Sequence, residues 1–75
     1  MMEHALAKTI LSADVIEMIA KKHGLTLKEA RDSFYGSEVV DMLEDDETGL
    51  YGESALYLFS LYEDRLKKAD NSDTL

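Results

Sequence analysis

Lys21-Lys22-His23-Gly24-Leu25-Thr26-Leu27-Lys28-Glu29-Ala30 decides the fold, because it closes one helix and opens the next. Cations gathered at a helix carboxyl end complement the helix dipole, and a glycine just beyond supplies the left-handed cap. Thr26 and Glu29 have the spacing of a capping box, in which each side chain satisfies a free backbone N–H of the other's turn. Leu25 and Ala30 stand at the hydrophobic-staple positions around that cap.

Upstream, a first helix is expected from about Glu3 to His23. Leu11, Val15, Met18 and Ile19 share one side of it, and Ile16 and Ala20 widen that stripe. Asp14, Glu17 and Lys21 form a narrow polar strip opposite. A stripe this broad suits a central helix covered by several others, or one shared across a dimer. Downstream, Leu27, Ala30, Arg31 and Phe34 fall on one face of a second helix that ends at Gly36. Ser37 is placed to cap a short third helix whose apolar side is Val39, Val40 and Leu43, with Met42 beside it. So short a helix is not stable alone in water and must pack on something. Ser54 is placed to cap the last helix, from Ala55 to about Ala69. Its expected seam is Ala55, Phe59, Tyr62 and Leu66, flanked by Leu58, with Leu56, Tyr57 and Leu61 lying off it. Residues 70–75 read as a flexible polar tail. With no proline and helical periodicity throughout, the expected fold class is all-α. The architecture is a single-domain bundle over residues 1–69 of about four helices, long first and last, with two short helices between.

The chain has 75 residues, 45% hydrophobic and 32% charged, which suits one folded domain. At this size folding buries only roughly 60% of the unfolded chain's surface, so stability is marginal. There is no cysteine. Disulfides, thiolate metal sites and thiol nucleophiles are therefore excluded, and the composition fits a reducing cytosol. The start, Met1-Met2-Glu3-His4, lacks the basic n-region of a signal peptide. No apolar run approaches the ~20 residues that span a bilayer. A cytoplasmic protein is expected.

The formal charge is −8, and it is unevenly spread. From Asp32 to Asp64 there are ten carboxylates and no lysine or arginine. That half repels nucleic acid and anionic membrane and suits a cation or a basic protein surface. At its centre lies the turn Glu44-Asp45-Asp46-Glu47-Thr48-Gly49-Leu50-Tyr51-Gly52-Glu53. Read as a calcium loop from Glu44, it places Ala55 where the bidentate glutamate belongs, so a solvated turn with Gly49 at positive φ is the better reading. The second and third helices resemble a helix-turn-helix in spacing, but the would-be recognition helix carries Glu38, Asp41 and Glu44 and no base-reading cation. His4 and His23 lie at opposite ends of one helix, about 30 Å apart at the helical rise, and cannot share a metal within one chain. No catalytic motif is present. The expectation is a non-enzyme with no cofactor and no specific small-molecule ligand.

An interaction surface remains. Leu56, Tyr57 and Leu61 lie beside the seam of the last helix, and the turn offers Leu50 and Tyr51. Aromatic and large apolar side chains are favoured interface anchors, so these five are the candidate contact residues.

The pieces Gly24-Leu25-Thr26-Leu27-Lys28-Glu29-Ala30, Phe34, and Glu47-Thr48-Gly49-Leu50-Tyr51 ahead of the last helix resemble a family of short, uncharacterised bacterial all-helical proteins. The resemblance spans about Leu6 to Leu66. It implies a cytoplasmic partner of neighbouring gene products, toxin-like in some cases, and assigns no residue a role. The expected function is a small acidic protein-interaction module, acting by self-association or by binding a protein partner, not nucleic acid or membrane. A helix-turn-helix-like regulator and a weak cation-binding module are the alternatives.

Overall fold

The computed structural model describes residues 4–71, with side chains through Lys67. Four α-helices follow in order: α1 (Ala5–His23), α2 (Leu27–Tyr35), α3 (Glu38–Glu44) and α4 (Ala55–Asn71). Two single 3₁₀ turns, Asp46–Thr48 and Leu50–Gly52, join α3 to α4. The all-α class and the long-short-short-long order are as expected. Glu3, the expected start of the first helix, and residues 72–75 of the expected tail lie outside the described residues. α4 itself continues to Asn71.

The stretch around Gly24 behaves as its chemistry requires. Gly24 caps α1 at φ 66, with Lys21, Lys22 and His23 in the last turn. The Leu25 amide donates to the Ala20 carbonyl, completing the cap. Thr26 Oγ1 accepts from the Glu29 amide at 3.1 Å, and Glu29 Oε1 accepts from the Thr26 amide at 3.0 Å. With both ends satisfied inside so short a connection, α2 folds back on α1.

The core follows from that reversal. Val15 and Ile19 of α1, Ala30 and Phe34 of α2, Val39 and Leu43 of α3, and Leu58 of α4 are fully buried. Phe34 is the largest of them. Its ring lies 6.4 Å from that of Tyr62, and the Tyr62 hydroxyl is hydrogen-bonded to Ser33, tying α2 to α4.

The structure corrects four of the sequence expectations. The α4 seam runs through Leu58 and Tyr62, and Leu66, expected in it, is exposed. Leu27, on the same face as Ala30 and Phe34, lies 62% exposed at the first turn of α2, while those two are fully buried. Leu50 belongs to the core cluster. Ser37 does not cap α3 by its side chain; its hydroxyl donates back to the Phe34 carbonyl at 2.6 Å and so closes α2. Ser54, by contrast, accepts from the Tyr57 amide at 3.1 Å as expected of a cap.

Replacing Thr26 by Ala should lower stability by about 1 kcal/mol, as loss of an N-cap does. Phe34→Ala should cost about 3–5 kcal/mol, the range for a large buried ring. Urea unfolding followed by circular dichroism reads both, and equal costs for the two variants would contradict this ranking.

Candidate functional site

The acidic turn is a built structure. Asp45 Oδ1 accepts from the Glu47 amide, closing the first 3₁₀ turn. Thr48 Oγ1 lies 2.6 Å from the Met42 carbonyl and 2.9 Å from that of Asp45, and accepts from the Leu50 amide. Gly49 takes φ 71, a left-handed conformation that a residue with a Cβ adopts at a cost. This small network drives Leu50 into the core at 6% exposure.

The start of α1 pins the turn from outside. Lys8 Nζ donates to Asp46 Oδ1 at 2.7 Å and to the Glu44 carbonyl at 3.0 Å. The hydrogen bond with Asp46 raises the Lys8 pKa above 10.5 and lowers that of Asp46 below 3.8. His4 stacks on Tyr51 with centroids 3.6 Å apart and planes 15° from parallel. Tyr51 is therefore engaged within the fold.

A second polar cluster joins α1 to α4. His23 Nε2 donates to Glu63 Oε2 at 2.7 Å, and Lys22 Nζ donates to Glu63 Oε1 at 3.3 Å. The Lys22 ammonium also lies 5.9 Å above the Phe59 ring. Burial pushes the Glu63 carboxyl up, but the hydrogen bonds from His23 and Lys22 outweigh it and hold it below 4.5. The two histidines thus serve opposite ends of α1, each in its own contact. Arg65 reaches from α4 to Glu38 of α3 and borders a shallow groove lined by Ser33, Ser37 and Tyr62.

Of the five candidate contact residues, Leu56 and Tyr57 are exposed. Tyr51 and Leu61 are partly buried and packed on the core, and Leu50 is inside it. The structure does not bring the five together as one surface. What sequence reasoning missed is a set of large exposed side chains on α1 and α2: Leu6, at 73% exposure, with Ile10, Leu27 and Tyr35.

Leu6 and Ile10 share one side of α1. A helix turns about 100° per residue. His4 and Lys22 are eighteen residues apart, so they lie in one direction on α1, toward Tyr51 and α4. Leu6 then points about 160° and Ile10 about 120° away from Lys22, with exposed Ala13 about 180° away. On α2, Leu27 lies seven residues before Phe34 and so points within about 20° of the ring that meets Tyr62 of α4, while Tyr35 points about 100° from Phe34. Leu6 and Ile10 therefore lie on the side of α1 turned away from α4, whereas Leu27 shares the direction of the core. The signal was present in the sequence: Leu6, Ile10 and Ala13 at i, i+4 and i+7 lie far round the helix from Val15.

Other surfaces have other characters. The outward side of α3 presents Glu38, Asp41 and Glu44, all exposed. No helix among the described residues is long and apolar enough to cross a membrane. Among the described residues, no group of three His, Asp or Glu side chains is placed to hold a metal ion. Compared with family models, curated proteins and solved structures, the chain matches none.

The pH response follows from the pairings. Glu63 and Asp46 have folded pKa values below their ordinary ones, so their contribution is full above about pH 4.5 and is lost as pH falls through the folded values. Lys8 is shifted up, so its contribution is full below pH 10.5 and fades as pH rises through the folded value. Glu63→Gln should flatten the stability profile between about pH 5 and pH 3 relative to the parent chain. Urea midpoints at the two pH values test this, and an unchanged acid slope in the variant would remove Glu63 from the account.

Proposed function

We propose that this protein is a small acidic, non-enzymatic interaction module that associates with protein through exposed apolar side chains of α1. The observation that supports this reading is the pair Leu6 and Ile10, one turn apart on α1 and exposed on its side away from α4. Exposed apolar side chains scattered singly are ordinary, whereas grouped ones mark contact surfaces. In a chain this short, every large apolar side chain left out of the core is withheld from an already small hydrophobic stabilisation. The acidic side of the molecule complements the proposal. The exposed carboxylates of α3 and the turn repel polyanions and confine the favourable contact to the near-neutral helices.

Chemical cross-linking in the cells that make the protein tests the reading. The chain should migrate in species larger than itself, and the double variant Leu6→Glu/Ile10→Glu should abolish them while its helical circular dichroism is retained. Migration of the unaltered chain at its own mass alone would sink the proposal.

A further inference from the structure

We draw no further inference here: the strongest candidate, the exposed surface patch of Leu6 and Ile10 on the side of α1 away from α4, carries nothing beyond the reading above because nothing in the structure shows what covers it.

Discussion

Everything in this fold depends on Phe34 being buried between helices that the short turn at Gly24–Thr26 has folded together. The ring is fully enclosed and lies against Tyr62 of α4, while its neighbour Ser33 holds the Tyr62 hydroxyl. Six large side chains are fully buried, drawn from all four helices. In so small a core no helix has enough apolar contact to stand alone, so the domain is cooperative by necessity. The backbone caps matter for the same reason. They stabilise the local geometry that a larger protein would impose by packing alone.

The acidic turn shows how a charged segment is held in a defined shape. Its own hydrogen bonds fold Asp45 to Leu50 into successive tight turns, and Lys8 and His4 then fasten it to α1. The carboxylates that remain face water. Their role in this reading is negative: they set which approaches are closed. The His23–Lys22–Glu63 cluster does comparable work where α1 meets α4, with a carboxylate shared between two donors.

Charge and apolar surface are therefore separated. Exposed carboxylates gather on α3 and the turn, while α1 exposes Leu6 and Ile10. This separation supports an association role more directly than overall acidity does. Acidity keeps a chain soluble, but exposed apolar side chains grouped on one helix allow a selective contact.

The sequence by itself determined the helices and their ends. Gly24, Thr26 with Glu29, Gly49 and Ser54 act through bonds to residues close in the chain, so their effect is written locally. It also determined the lopsided charge, since most carboxylates stay in water whatever the fold. Only the tertiary structure decided which apolar side chains were spent on the core. Leu27 and Leu66 have core-like positions on their own helices yet lie exposed, while Leu50, in a turn that looked solvated, is buried. Helical periodicity defines an apolar stripe but not which part of it meets a neighbour, because that depends on where the other helices cross. That Leu6 and Ile10 stay exposed could be read only once α4 was seen to lie on the other side of α1.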